Sequence, residues 1–251
     1  MKIIIKDNAA EASAAVAAIL LQHIVTKPDS VLGLPTGGTP LAVYARLRDA
    51  FKQGRRSYAS ITTFNLDEYI GLSTDNPASY ARYMRDNLFD HVDMDPRSAK
   101  IPDGSASDAD AEAARYEAEI AASGGIDIML LGLGRNAHIG FNEPGSAHDS
   151  RTRRVALTQS TLQANAVYFP PGVGQPTHAI TMGIGTILEC RSILVLATGT
   201  EKAQAVAASI NGTASERIPG SALSRHPDAT FVLDTAAARD LGMAQPMELR
   251  A

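Results

Sequence analysis

The chain has 251 residues, a length that suits a large α/β domain and is enough to bury a substantial core. Hydrophobic residues make up 45% and charged residues 20%, as in ordinary soluble proteins, and the net charge of -4 gives no electrostatic reason to expect nucleic acid as a partner. The single cysteine, Cys190, excludes an internal disulfide and a thiolate metal cluster. Because no apolar run approaches the roughly 20 residues of a membrane span, we expect a cytoplasmic protein without a membrane partner.

Short apolar or β-branched runs alternate with helix patterns along the chain. Residues 1–7 are typical of a first strand, and they are too few and too charged for a signal peptide. Further strands are predicted at 31–34, 61–65, 126–131, 179–182, 192–197 and 230–234, and helices at 40–53, 78–89, 106–122 and 201–210. This alternation predicts an α/β fold with a mostly parallel sheet and helices on both faces. We expect one domain over residues 1–251, with a looped region between Pro144 and about Pro176.

A glycine-rich segment, Thr36-Gly37-Gly38-Thr39, lies between the strand at 31–34 and the helix predicted to begin at Pro40. Glycines let backbone N–H groups turn toward one point, the threonine hydroxyls add donors, and a helix start adds partial positive charge. The segment therefore favours phosphate binding, with a tight turn capped by threonine as the alternative. It matches neither the dinucleotide pattern Gly-x-Gly-x-x-Gly nor a P-loop.

Two acidic residues, Asp67 and Glu68, follow the strand at 61–65. A carboxylate at the carboxyl end of a strand can act as a general base, whereas the alternative is a solvated acidic loop. Because adjacent positions of an extended chain point in opposite directions, we expect only one of the two to face a pocket.

The stretch from Gly132 to Gly145 follows the apolar strand at 126–131 and contains both His138 and Glu143. Open α/β sheets place their chemistry at the carboxyl ends of the strands. A histidine titrates near neutral pH, and a nearby carboxylate fixes its tautomer, as in a catalytic triad. The pattern favours a proton-transferring pair, with a structural histidine as the alternative.

Lys202 lies at the start of the helix predicted at 201–210. A cation there opposes the helix dipole, and a bound anion would compensate, although a solvated lysine explains the position equally well. The cluster of Arg151, Arg153 and Arg154 is more typical of a solvated surface. No histidine pair with ligand spacing and no nucleophile elbow is present, so we expect neither metal nor nucleophilic catalysis.

In this order, these segments resemble glucosamine-6-phosphate deaminases, the glucosamine/galactosamine-6-phosphate isomerase family. The motifs Asn-Leu-Asp-Glu-Tyr at 65–69 and His-Ile-Gly-Phe-Asn-Glu-Pro at 138–144 are specific to it. The 6-phosphogluconolactonases share the Gly-Gly loop and the Gly-His core but lack the Phe-Asn-Glu-Pro ending. The resemblance covers nearly the whole chain, through the segments 32–40, 63–72, 132–145, 150–153 and 181–186.

The resemblance implies a Rossmann-like fold and a reaction that uses no metal or cofactor: D-glucosamine 6-phosphate and water give D-fructose 6-phosphate and ammonium. It implies that His138 opens the sugar ring, that Glu143 and Asn136 orient His138, and that Asp67 moves a proton from C2 to C1. The residues that it implies for binding the sugar phosphate are Thr36, Gly37, Gly38, Thr39, Gly132, Leu133 and Lys202.

Three positions depart from the family pattern. Asn136 stands where one branch has Asp, so Glu143 should dominate the orientation of His138. Val167 stands where the family usually has a phosphate-binding Arg, which opens the question of substrate identity. Val155 stands where the allosteric hexameric members have Lys, so we expect no activation by N-acetylglucosamine 6-phosphate.

Three alternatives stay open at this point: a deaminase for another amino-sugar phosphate such as galactosamine 6-phosphate, a 6-phosphogluconolactonase-like hydrolase, and a sugar-phosphate sensor of the kind found in transcription regulators. The sensors carry a helix-turn-helix extension, whereas here the sheet is expected to begin at Lys2, and the net charge does not suit DNA. The expected partner is a small sugar phosphate, and the chain is expected to be a monomer or a homo-oligomer.

Overall fold

Two sheets and eight α-helices are present in the computed structural model, which describes residues 1–166, 169 and 174–242. The strands are β1 (Lys2–Lys6), β2 (Val31–Leu34), β3 (Thr62–Asn65), β4 (Asp67–Tyr69), β5 (Ala99–Lys100), β6 (Ile128–Gly132), β7 (Arg153–Ala156), β8 (His178–Thr181), β9 (Ser192–Ala197) and β10 (Ala229–Asp234). The helices are α1 (Ala9–Thr26), α2 (Leu41–Lys52), α3 (Tyr80–Asn87), α4 (Ala109–Ala122), α5 (Gln159–Asn165), α6 (Ile184–Leu188), α7 (Ala203–Asn211) and α8 (Thr235–Ala238).

The main sheet has seven strands in the order β1-β10-β9-β6-β2-β3-β5, all paired in parallel. Its central strands are largely apolar because both faces are covered. In β6, Met129 and Leu131 pack into the core on one face with Tyr116 of α4, whereas Leu130 packs on the other face with Leu20 of α1. The predicted α/β sheet with helices on both faces is confirmed.

Successive strands are added to this sheet toward one edge from β2 and toward the other edge from β6. From β2 the chain proceeds outward through β3 to β5, and from β6, the other neighbour of β2, it proceeds through β9 to β10. Connections therefore diverge from the carboxyl ends of β2 and β6 and leave a crevice between them. In open α/β sheets this is where ligands bind.

A second, three-stranded antiparallel sheet has the order β4-β8-β7. Its first strand, β4, follows β3 after the single residue Leu66, so Asp67 and Glu68 are strand residues and the solvated loop considered for them is wrong. The expectation of a looped region over 144–176 is also wrong in part, because β7 and α5 lie within it. None of the residues of β7 is fully buried, so this strand needs few apolar residues. It therefore lacks the apolar pattern by which a strand is recognised in the sequence.

Helix boundaries differ from the prediction where side chains cap the first turn. Helix α3 begins at Tyr80 because Ser79 accepts a hydrogen bond from the Arg82 N–H, and α4 begins at Ala109 because Asp108 accepts from the Asp110 and Ala111 N–H groups. Pro40 precedes the first residue of α2 rather than being it.

Helix α1 was not among the predicted helices because alanine occupies much of its length and blurs the apolar periodicity. By length and composition alone it could cross a membrane, and it is the one helix of the described residues that passes that test. In the structure its Val16, Leu20 and Ile24 pack against the sheet and α2, as in the core helix of a globular domain.

Candidate active site

A cavity of about 760 Å³ lies at the carboxyl ends of β2, β6 and β9 and beside β4. Segments that are far apart in the sequence meet there, as expected for a crevice of this kind. All the residues predicted for the site line this cavity: Thr36, Gly37, Gly38, Thr39, Asp67, Gly132, Leu133, Asn136, His138, Glu143 and Lys202.

The loop of residues 36–39 connects β2 to α2 at one end of the cavity. Two tyrosines hold the backbone here: the Tyr83 hydroxyl donates to the Gly37 carbonyl over 2.6 Å, and the buried Tyr44 hydroxyl donates to the carbonyl of Pro35, the residue before the loop. Both contacts use carbonyl groups and leave the loop's N–H groups available. The loop is therefore fixed in position before an anion binds.

Asp67 is the first residue of β4 and is buried, with 6% of its surface exposed. No hydrogen bond or ion pair to its carboxylate occurs among the described residues, although Gly140, with a φ of 56°, packs closely against it. Burial, together with the neighbouring charge of Glu68, raises the pKa of Asp67 to about 8. A general base needs a carboxylate that faces the substrate cavity and has a raised pKa. Asp67 has both properties.

Glu68 points away from the cavity, as the alternation along an extended strand predicts. Its carboxylate accepts hydrogen bonds from the backbone N–H groups of Tyr69 (2.8 Å), Tyr80 (3.0 Å) and Ala81 (2.9 Å). Burial raises the pKa of Glu68 to about 7 even though these bonds favour the charged form. Glu68 thus fixes the first turn of α3, which carries Tyr80 and Tyr83 to the cavity.

We expect Glu68→Gln to destabilise the protein. The glutamine offers one oxygen, so its amide NH₂ faces a backbone N–H and that donor loses its acceptor. An unmet buried hydrogen bond costs roughly 1–3 kcal/mol, which corresponds to a melting temperature lower by several degrees. Thermal unfolding at about pH 5, where Glu68 is protonated and the glutamine differs from it only in its hydrogen bonding, measures this, with the exposed Glu11→Gln as the control. Equal melting temperatures for Glu68→Gln and the control would contradict the role.

His138 and Glu143 lie side by side in the wall of the cavity. The His138 Nδ1 atom is 3.5 Å from Glu143 Oε1, a loose contact. Asn136 donates to Glu143 Oε2 and Thr161 donates to Oε1, each over 2.7 Å. Burial opposes the charge of Glu143, but these donors and His138 more than offset it and lower the pKa of Glu143 to about 2. Glu143 is therefore a fixed anion beside the imidazole.

A tight turn presents the His138 ring to the cavity. The Gly134 N–H donates to the His138 carbonyl over 2.8 Å, and a Cβ at position 134 would lie 2.4 Å from the ring, so only glycine fits. Ala137 adopts a left-handed conformation with a φ of 64°, which non-glycine residues seldom do. Its carbonyl accepts the Gly220 N–H over 2.8 Å, which supports the turn from outside the cavity.

Lys202 follows β9 and immediately precedes α7, close to its predicted position at a helix start. It is half-buried, and no carboxylate of the described residues lies within ion-pair distance of it. Burial lowers the pKa of its ammonium group. Lys202 is therefore not a fully solvated lysine, and anion binding by it stays a prediction.

The other basic residues that the sequence singled out do not line the cavity. Arg151 pairs with Glu117 and Glu189, and Arg153 donates to the Asn142 side chain over 2.9 Å. Val167 lies outside the described residues. Within the ranges 1–166 and 174–242 and at position 169, no three His, Cys, Asp or Glu side chains are placed to hold a metal ion.

Several cavity residues carry no sequence motif and were not predicted. Tyr80 of α3 stacks on Phe141, with ring planes 13° apart, and its hydroxyl donates to the Tyr69 hydroxyl over 3.1 Å. Asn165 of α5 donates to the same Tyr69 hydroxyl over 2.7 Å, and Thr161 reaches Glu143. Nothing in the local sequence indicates that α3 and α5 come together here, because only tertiary packing brings them to the cavity.

A family model for glucosamine-6-phosphate isomerases/6-phosphogluconolactonase matches residues 5–232. The chain belongs to this family. A member named glucosamine-6-phosphate deaminase, from Shewanella loihica, is 48% identical over 241 residues, which are 96% of this chain and 90% of the relative.

Among solved structures, a deaminase is more similar to this chain than a lactonase is. One that is described as a monomeric glucosamine-6-phosphate deaminase has a TM-score of 0.93 at 48% identity and covers 96% of this chain and 100% of its own. The 6-phosphogluconolactonase from Trypanosoma cruzi has a TM-score of 0.77 at 24% identity, with 96% and 97% covered, and shows the common fold only.

Proposed function

We propose that this enzyme converts D-glucosamine 6-phosphate and water into D-fructose 6-phosphate and ammonium, in the breakdown of amino sugars. The observation that carries the proposal is one cavity that holds both a buried carboxylate without a partner among the described residues, Asp67, and the His138–Glu143 pair. Relatives that match nearly the full chain at 48% identity have the name of this activity, whereas the lactonases share the fold at about half that identity. We place the reaction in the cytoplasm, in a chain that acts as a monomer or homo-oligomer.

The phosphate end of the substrate is assigned to the loop of residues 36–39 and to Lys202. The loop offers backbone N–H groups and two hydroxyls at the start of α2, and the half-buried ammonium group of Lys202 lacks a protein carboxylate within the described ranges. Gly132 and Leu133 line the cavity between them. Holding the phosphate fixes how far the sugar carbons extend toward Asp67 and His138.

Ring opening is assigned to His138. Its imidazole delivers a proton to the ring oxygen as the bond from C1 to that oxygen breaks, and it takes up the proton of the C1 hydroxyl, which gives the open-chain aldehyde and leaves the imidazole as it began. Glu143 contributes a constant negative charge beside Nδ1 and holds the ring in one orientation. Asn136 acts through Glu143, since its amide donates to that carboxylate.

Isomerisation is assigned to Asp67. The aldehyde at C1 acidifies the proton on C2, so a placed carboxylate removes it and returns it to C1 through an enediol-like state. A well-placed base of this kind contributes roughly 10²–10⁴ in rate. The amino group at C2 thereby becomes an imine, and water adds to C2 and releases ammonium, which leaves the C2 carbonyl of fructose 6-phosphate.

We expect kcat/KM for glucosamine 6-phosphate to rise about tenfold for each pH unit and to level off near pH 8. Asp67 accepts a proton only when ionised, and its pKa is about 8 in the free enzyme. Glu68→Gln removes a like charge, so it should move the midpoint of the profile to lower pH. A wild-type midpoint below about pH 6 would assign the base to another group.

The reaction itself is tested by ammonium release from the purified protein with glucosamine 6-phosphate and, in parallel, galactosamine 6-phosphate, and by identifying the sugar product. Fructose 6-phosphate from glucosamine 6-phosphate supports the proposal. Ammonium from galactosamine 6-phosphate alone would change the substrate, and hydrolysis of 6-phosphogluconolactone without any ammonium would replace the reaction.

A further inference from the structure

Arg135 is an arginine of the cavity that the reaction described above does not use. It lies between Gly134 and Asn136 in the segment after β6, and its side chain is exposed at the cavity wall. Among the described residues, no hydrogen bond or ion pair involves its guanidinium group. An exposed arginine without a partner is ordinary on a convex surface, but this one lines a concave site.

Arg135 and Lys202 come from neighbouring strands of the main sheet. Gly132 at the end of β6 lies opposite Leu196 of β9, so the segments that follow these strands leave the sheet side by side. Both side chains line the same cavity, and the charge of Arg135 contributes, after the larger effect of burial, to lowering the pKa of Lys202. Two like charges without a counterion repel, and an anion between them removes that cost.

The glycine-rich loop of residues 36–39 lies on the side of β6 opposite β9. It follows β2, which pairs with β6 through Leu32 and Ile128. The carboxyl ends of three adjacent strands thus bring together a loop with free N–H groups, a half-buried ammonium group and a guanidinium group. These are the donors that bind a phosphate most strongly in proteins.

We propose that Arg135 binds the phosphate group of the substrate and forms its second cationic contact, opposite Lys202. This assignment rests on the proposed function only for the class of substrate, a sugar phosphate. A guanidinium group binds two phosphate oxygens at once and stays charged at all working pH values. Among the described residues that line the cavity, Arg135 is the only arginine, so the guanidinium contact is assigned to it.

Calorimetric titration with inorganic phosphate tests the assignment without any turnover. We expect Arg135→Ala to weaken phosphate binding roughly 10- to 100-fold and Arg135→Lys to lie between that variant and the wild type, because a charge-assisted contact is lost or reduced. The control is Arg55→Ala, which removes another exposed arginine outside the cavity and should bind phosphate like the wild type. Melting temperatures verify that every variant folds.

The assignment is overturned if Arg135→Ala binds phosphate as tightly as the wild type, if Arg55→Ala loses as much affinity, or if the wild type binds no phosphate. A steady-state arm adds a second check: Arg135→Ala should raise KM for glucosamine 6-phosphate by a similar factor with little change in kcat. A protein that binds phosphate through Arg135 but releases no ammonium would refute the proposed reaction alone.

Discussion

Asp67→Asn is expected to lower kcat/KM for glucosamine 6-phosphate by about 10³-fold or more while it stabilises the fold. The amide has nearly the same shape but cannot take a proton from C2, so the loss corresponds to the whole contribution of a general base. Ammonium release with fructose 6-phosphate identification measures the activity. A variant that keeps activity within about tenfold of the wild type would show that another group is the base.

The stability gain has a definite dependence on pH. Burial raises the pKa of Asp67 from 3.8 to about 8, so the folded state favours the protonated form. Its contribution to stability is fully present below about pH 4 and is lost as pH rises through about 8. The asparagine side chain carries no charge, so the variant should melt a few degrees above the wild type at about pH 8, and the gap should close near pH 4. The exposed Glu11→Gln, which removes a carboxylate that is not buried, is the matched control and should show no such gap at either pH.

Glu143→Gln is expected to lower kcat by about 10²–10³-fold, and Asn136→Ala by only about tenfold. The carboxylate of Glu143 is the only negative charge described beside the His138 ring, and glutamine removes it. Asn136 reaches the ring through Glu143, and Thr161 supplies a second donor that keeps the carboxylate in place when Asn136 is absent.

Initial rates for both variants across pH separate these roles. Glu143→Gln should change the shape of the pH profile, because a charge beside the imidazole is gone, whereas Asn136→Ala should lower the rate without moving the profile. Thr161→Val removes a different short hydrogen bond to Glu143 and should resemble Asn136→Ala. Equal losses in Glu143→Gln and Asn136→Ala would contradict this division between the two residues.

Much of the fold follows from local patterns in the sequence. The central strands of the main sheet are apolar over most of their length because both of their faces are covered, so they are recognisable one by one. The cavity loops are also recognisable from the sequence. Their turns require glycine, and their charged residues come directly after predicted strands. For these reasons Thr36–Thr39, Asp67, His138, Glu143 and Lys202 were all predicted, and all line the cavity.

The half-exposed elements could not be predicted in the same way. Strand β7 shows no apolar alternation strong enough to reveal it, and α5 is short, so the region they occupy was expected to be a loop. Tyr80 and Thr161 reach the cavity only because α3 and α5 pack beside β4 and the His138 turn. No spacing within either helix indicates such a position.

Local sequence patterns are sufficient to predict the parallel α/β sheet, the residue types of the site and the strand ends from which those residues extend. Packing in three dimensions turns Asp67 toward the cavity and Glu68 toward the start of α3, leaves Asp67 without a partner among the described residues, and brings Arg135 and Lys202 to one cavity. The difference arises because strand and turn formation depend on neighbours in the chain. Desolvation and charge pairing depend on which groups the packed elements leave beside one another.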